Sequence, residues 1–220
     1  GVYEVFKLDG KSYEIQTTAF GGAAQISIEE FLDGRVDFAD LLDVVMEGLD
    51  EAIYLEIETA LIAAADGLQA ANKHSEGAFN ETAMDKLIAV ADSYGKSTIY
   101  CTYEFAATML PADKWISDSM KDQRWNNGYL GNYKGHNVIV LNQSYTDETN
   151  STKVIDPSRA YIIPAGSNEK PVKIAFEGTT LVDDRSNSDW SKEIQVYKKL
   201  GVGTIITNNI CVYRNTSLTK

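Results

Sequence analysis

Apolar side chains recur at Phe38, Leu41, Leu42, Val45, Leu49, Ile53, Ile57 and Leu61, in steps of three or four residues. That is the period of one helical face, and it predicts a helix over Asp37–Ala65. No proline breaks the run, and Gly48 is its only glycine. At ~1.5 Å per residue such a helix is roughly 43 Å long, well over twice the usual length of about 11–12 residues. Val44, Met46, Leu55 and Ile62 lie off the main stripe. The helix is therefore expected to pack on more than one side.

The chain around this helix alternates between shorter elements. Residues 2–8 and 11–18 are β-rich runs joined by Asp9-Gly10, the pair that favours a two-residue hairpin turn. A two-stranded ribbon is marginal in water, so it should lean on its own domain or on a neighbouring subunit. Phe20-Gly21-Gly22 reads as a flexible joint. Ser27-Ile28-Glu29-Glu30 is a capping box that opens a short helix ending at Gly34. Asp37 is the expected cap of the long helix, and Gly67 its end.

Downstream, residues 68–80 read as a polar connector. Thr82–Asp85 reads as the cap of a helix that carries Met84, Leu87, Ile88 and Ala91. A strand at Ser97–Tyr103, a helical stretch at Glu104–Leu110 and an amphipathic helix at Asp113–Trp125 follow. Gly128, Gly131 and Gly135 punctuate a turn into a strand at His136–Leu141. Gln143–Asp156 is loop-like. The remaining strands are expected at Ala160–Pro164, Val172–Phe176, Glu193–Leu200 and Thr204–Tyr213, with Gly201-Val-Gly203 as a turn. The order predicts an α+β chain with a helix–strand–helix–strand insertion in its middle.

Charge changes the picture by region. The formal net charge is −12, and all of it lies in residues 1–72, where fifteen acidic side chains face Lys7, Lys11 and Arg35. Residues 73–220 balance seventeen of each sign. No basic residue stands between Arg35 and Lys73. Such a face is either solvated or meets a basic element of another chain. It argues against direct DNA binding, which needs clustered Lys and Arg. No run of apolar residues is long enough for a membrane span. The start at Gly1 rather than Met fits a processed product or a piece of a longer chain.

Candidate chemistry is thin. Cys101 and Cys211 have no paired spacing and read as buried free thiols, which suits a reducing compartment. His74 and His136 stand alone, and two His with two Cys cannot build a zinc site of the usual spacing. No Walker A, G-x-S-x-G or H-E-x-x-H motif is present. Gly201-Val-Gly203 is half of a dinucleotide fingerprint without its helix. Asp183, Asp184 and Asp189 lack the spacing of a calcium loop. The carboxylates Asp50-Glu51 and Glu56 with Glu58 point apart on a helix. Trp115, Trp125, Tyr129 and Tyr133 surround the glycine-rich turn and read as core packing ahead of an interface. No catalytic residue, metal ligand or cofactor is predicted.

Three features together carry a resemblance: the hairpin Val2–Thr18, the acidic helix Asp37–Ala65, and Gly128-Tyr-Leu-Gly131-Asn-Tyr-Lys-Gly135 running into His136-Asn-Val-Ile-Val140. In this order the chain resembles the major capsid proteins of tailed bacteriophages, whose fold is shared with herpesvirus capsid floors and encapsulin shells. The terminal run Glu193–Arg214 resembles the closing strands of that fold. The likeness spans nearly the whole chain. It implies an extended-loop hairpin (1–22), a peripheral domain (23–79 and 186–220) holding the spine helix, and an axial domain (80–185). An N-terminal arm or scaffolding segment of the family is not visible in the sequence.

The implied function is a structural head protein that self-assembles into an icosahedral shell around the phage genome. The implied partners are copies of the chain in pentamers and hexamers, with portal, scaffold or decoration proteins and enclosed DNA, and no membrane. The implied place is the virion, assembled in the host cytoplasm. Candidate contact residues between subunits are Phe6, Lys7, Asp9, Gly10, Lys11 and Tyr13 on the hairpin. Asp43, Glu47, Asp50 and Glu51 on the helix, and Asp147 and Glu148 in the polar loop, complete the set. An encapsulin-type compartment subunit is the alternative within the same fold. A soluble enzyme or binding protein with an unrecognised site is the alternative outside it.

Overall fold

The structure is a computed structural model, and it describes residues 14–33, 38–109, 117–165, 172–204 and 208–220, without the side chains of Phe31 and Phe38. Fourteen helices and strands carry the description. In chain order they are β1 (Thr18–Ile26), α1 (Ile28–Leu32), α2 (Phe38–Asp66), β2 (Lys73–Glu76), α3 (Glu81–Asp92), β3 (Ser97–Thr102) and α4 (Tyr103–Thr108). Then come α5 (Asp118–Asn127), β4 (Asn132–Tyr133), β5 (His136–Leu141), β6 (Arg159–Pro164), β7 (Val172–Ser186), β8 (Lys192–Thr204) and β9 (Cys211–Asn215). The strands form a three-stranded sheet, β1-β8-β7, and a six-stranded sheet, β2-β9-β6-β3-β5-β4. The chain is α+β.

The larger core lies on the six-stranded sheet. Met84, Leu87, Ile88 and Ala91 recur at helical spacing, and all four are buried as α3 lies on β6 and β9. Asn80, not Thr82, caps this helix: its Oδ1 accepts the Ala83 N–H at 3.2 Å. Thr102 ends β3 and caps α4 by accepting the Phe105 N–H, which aims Phe105 into the core. β6 runs between β3 and β9, antiparallel to both. Cys101 and Cys211 are buried and free on those two flanking strands. Burial pushes their thiols up, to about 12 and about 11.

The smaller core lies between the three-stranded sheet and the first half of α2. Leu41, Val45 and Leu49 meet Ile26, Ile194 and Val196. The last turns of α2 leave this sheet and bring Leu61 and Ala65 against Tyr161 and Val212 of the other one. α2 is thus a beam whose two ends rest on two different sheets. The expected stripe is correct, but its partners change along the rod.

Several expectations are corrected. Phe20-Gly21-Gly22 is no joint; all three lie inside β1, paired with β8. A Cβ on Gly22 would stand 3.0 Å from Val45 Cγ1, so this glycine serves the close approach of helix to strand. Gly201-Val-Gly203 is no turn either, since β8 runs straight through it. There the backbone of Gln16 and the side chain of Ile15 come close enough to occupy the places of side chains on Gly201 and Gly203. β7 extends over fifteen residues, three times the expected run. The connector 68–80 contains β2, which pairs parallel with β9, so residues 73–76 and 211–215 share a sheet with β3, β5 and β6. Residues 172–186 share one with β1. Asp118–Asn127 is helical but buries none of its residues, so it is not amphipathic packing. Val44 is 63 % exposed, so this side of α2 is bare rather than packed. The Asp9-Gly10 turn, the ending at Gly34 and the Asp37 cap lie outside the described residues.

Candidate functional site

Asp40, Asp43, Glu47 and Asp50 recur every three or four residues on α2 and are all exposed, with Glu51 half-buried beside them. They form an acidic strip on the side of the helix away from the sheets. Among the described residues no cation pairs with Asp43, Glu47, Asp50 or Glu51. Tyr54, 63 % exposed, continues the strip. Like charges at these spacings repel by some tenths of a kcal/mol each, a cost that an opposing basic surface would remove.

The other end of α2 is neutralised. Lys73 Nζ donates to the Asp66 carbonyl at 2.8 Å, where a cation suits the helix dipole. The buried Arg159 joins Asp66 at 3.1 Å and Asp156 at 3.2 Å. Glu58, 8 % exposed, accepts the Asp156 N–H and the Lys220 ammonium, the latter at 2.9 Å. Burial alone would raise the Asp156 carboxyl. Hydrogen bonds from Ser158 and Arg159 outweigh it and leave the group below its usual value. This cluster fastens α2 to β6 and to the chain's last residue.

A Ser, His and Asp also meet, which the sequence did not show. His136 Nδ1 lies 3.2 Å from Ser97 Oγ, and His136 Nε2 lies 3.4 Å from Asp92 Oδ2. Yet the Ser97 hydroxyl is 2.7 Å from Asp92 Oδ1 and donates to it, and Ser97 is 1 % exposed. A nucleophile needs its oxygen facing the base and open to substrate. Here the trio ties the end of α3 to β3 and β5. Among the described residues no group of three or more His, Cys, Asp or Glu side chains could hold a metal ion. No helix among the described residues is long and apolar enough to cross a membrane.

The candidate contact residues fall into three sets. Phe6, Lys7, Asp9, Gly10, Lys11 and Tyr13 lie outside the described residues. Asp43, Glu47, Asp50 and Glu51 stand together on the acidic strip. Asp147 turns onto its own loop. It accepts the Ser151 hydroxyl, the Thr149 hydroxyl and the Thr152 N–H, which hold its carboxyl well below the usual range. Glu148 beside it is exposed.

Exposed aromatic and aliphatic groups were not anticipated. Trp125 on α5 is 90 % exposed and Trp190, between β7 and β8, is 75 % exposed. Phe176 and Leu181 on β7 are 60 % and 59 % exposed. The reading of Trp125 as core packing is thereby overturned. The available signal was that both tryptophans stand among polar residues, Asp122 to Asn127 and Ser186 to Glu193.

Two sheets bridged by one long helix, with bare acidic, aromatic and sheet surfaces, are the architecture that the described residues define. Solved structures agree on the fold. A phage-related protein from Bordetella bronchiseptica matches at TM-score 0.61 and 15% identity, over 94% of this chain and 75% of that one. The head structure of Helicobacter pylori bacteriophage KHP40 matches at TM-score 0.59 and 16% identity, over 91% and 75%. The SrpI encapsulin of Synechococcus elongatus matches at TM-score 0.59 and 10% identity, over 90% and 74%. A search of curated proteins returned no match.

The particular family comes from the sequence. Residues 3–214 match the family model described as "SPbeta prophage-derived putative capsid protein YonB". The chain belongs to this family: it is a phage capsid protein, a structural subunit of a shell and not an enzyme. Its place is the virion and its partners are copies of itself.

Proposed function

We propose that this chain is the major head protein of an icosahedral shell that encloses the phage genome, with subunits grouped in pentamers and hexamers. The family match over residues 3–214 carries the reading. The division into parts belongs to the same reading. The hairpin expected at 1–22 is the extended loop, and α2 is the spine helix. The segments 23–79 and 186–220 are assigned to a peripheral domain and 80–185 to an axial domain. Strand pairing supports moving the boundary so that β7 joins the peripheral part and β2 and β9 join the axial part.

The strip Asp43, Glu47, Asp50 and Glu51 is assigned to contact with basic surface of a neighbouring copy, and Glu148 to a loop contact. The hairpin residues Phe6, Lys7, Asp9, Gly10, Lys11 and Tyr13 are assigned the same kind of role. Portal, scaffold and decoration proteins are the further partners. DNA is enclosed without base recognition, and assembly takes place in the host cytoplasm. Electron microscopy of the full-length chain tests this. Closed particles of uniform size are expected; a chain that stays monomeric at high concentration refutes the reading. Nucleic acid inside the particles distinguishes a virus head from an enzyme compartment.

A further inference from the structure

β7 and β8 are joined by a turn that the fold holds firmly. The Asn187 N–H donates to the Ser191 carbonyl and the Trp190 N–H to the Asn187 carbonyl, both at 3.0 Å. Asp189 Oδ1 accepts the Ser191 N–H at 3.1 Å and its hydroxyl at 2.6 Å. Asn187 Nδ2 donates to Ser191 Oγ and to Glu193. Gln25 Nε2 reaches Ser191 Oγ at 2.6 Å and ties the turn to β1. Within this frame Trp190 has φ +66°, a left-handed conformation that disfavours bulky side chains.

Among the described residues the other two non-glycine residues with positive φ are Lys134, which precedes a glycine in a hairpin turn, and Asn150, a residue type that tolerates it. Trp190 has neither excuse. Its side chain is 75 % exposed, and among the described residues no ring or ion contact holds it. The subunit thus bears a strained backbone and a bare indole and draws no packing from either. Strain of this kind persists where the surroundings over-determine it, and it clusters at functional positions.

We propose that Trp190 is a docking anchor that inserts into a second copy of this chain when the shell assembles. The inference rests on the shell reading above. Tryptophan carries a large apolar area on few rotatable bonds and dominates interface hot spots. A nucleic acid or an anionic membrane is a poor occupant, because four carboxylates outnumber two cations over Asp183–Glu193. A rigid turn presents the indole ready-made, so little ordering is required on docking.

The test uses the full-length chain and the substitutions Trp190→Asn and Trp190→Phe. Asparagine suits the left-handed backbone, so the unassembled Trp190→Asn subunit should melt at or above the wild-type temperature. The concentration at which it forms shells, followed by light scattering and sedimentation, should rise tenfold or more. Trp190→Phe should fall between the two. With Trp115→Phe and Trp125→Phe in place, Trp190 fluorescence should shift to the blue and resist acrylamide quenching on assembly. A Trp190→Asn chain that assembles at the wild-type concentration overturns the anchor alone. So does a loss of subunit stability in that variant, or an indole as quenchable in shells as in free subunits. A wild-type chain that forms no particles overturns the shell reading and the anchor with it.

Discussion

β6 and β7 carry comparable apolar residues, and the fold treats them oppositely. β6 lies between β3 and β9, with α3 over one face and the end of α2 over the other, and only Ile163 of its six residues is not fully buried. β7 is the last strand of the smaller sheet, beyond the reach of most of α2, and none of its fifteen residues is fully buried. On the face away from α2, Leu181 pairs across the sheet with Tyr197, and both are exposed. A long edge strand with bare apolar side chains is a liability in a solitary protein. The six-stranded region holds the larger core, and the three-stranded region leaves apolar side chains of its edge strand bare.

This contrast can be broken most forcefully at Phe105, which is fully buried in the larger core. Phe105→Ala should cost about 3–5 kcal/mol, read from urea unfolding of the unassembled subunit. A loss under about 1 kcal/mol would mean that this region is not the stabilising one. Gly201→Ala comes next. A Cβ there would stand 2.3 Å from the Gln16 carbonyl oxygen, so Gln16 or β8 must move, at about 1–3 kcal/mol by the same measurement.

Acid sharpens the comparison at the junction of α2 and β6. Asp156 sits below its ordinary value in the folded chain, so it stabilises the fold above about pH 4 and loses that contribution as pH falls further. The melting temperature should drop on acidification through that range. Asp156→Asn should flatten the drop while costing on the order of 1 kcal/mol at neutral pH. An unchanged acid slope would show that the junction does not act through this carboxylate. The smallest subunit effect is expected at Leu181→Ser, within about 0.5 kcal/mol of wild type. A large destabilisation there would show that β7 is packed within its own subunit.

Local signals made much of this legible in advance. The 3.6-residue period of α2 gave its C-terminal end to within a residue, because nothing in the stretch competes with the helix. The Ser27–Glu30 capping box forms as its spacing predicts, with Ser27 Oγ accepting the Glu30 N–H at 3.3 Å. Met84, Leu87, Ile88 and Ala91 are the buried face of α3. What failed was the meaning of glycine and of isolated aromatics. Gly21, Gly22, Gly201 and Gly203 look like breaks in the chain. They lie instead in strands, and at Gly22, Gly201 and Gly203 a neighbouring segment comes close. Trp125 reads as core and is exposed.

The amino-acid order by itself settled the helical beam, its acidic outer side and the family, since periodicity, charge and motif order are properties of the chain alone. Which strands become neighbours, and so which apolar residues are covered, was decided only by the tertiary structure. Strand pairing joins residues more than a hundred positions apart, as in Lys73 beside Val212, and no local pattern encodes that choice. Burial follows from it: the same kinds of side chain fill a core on β6 and stand bare on β7.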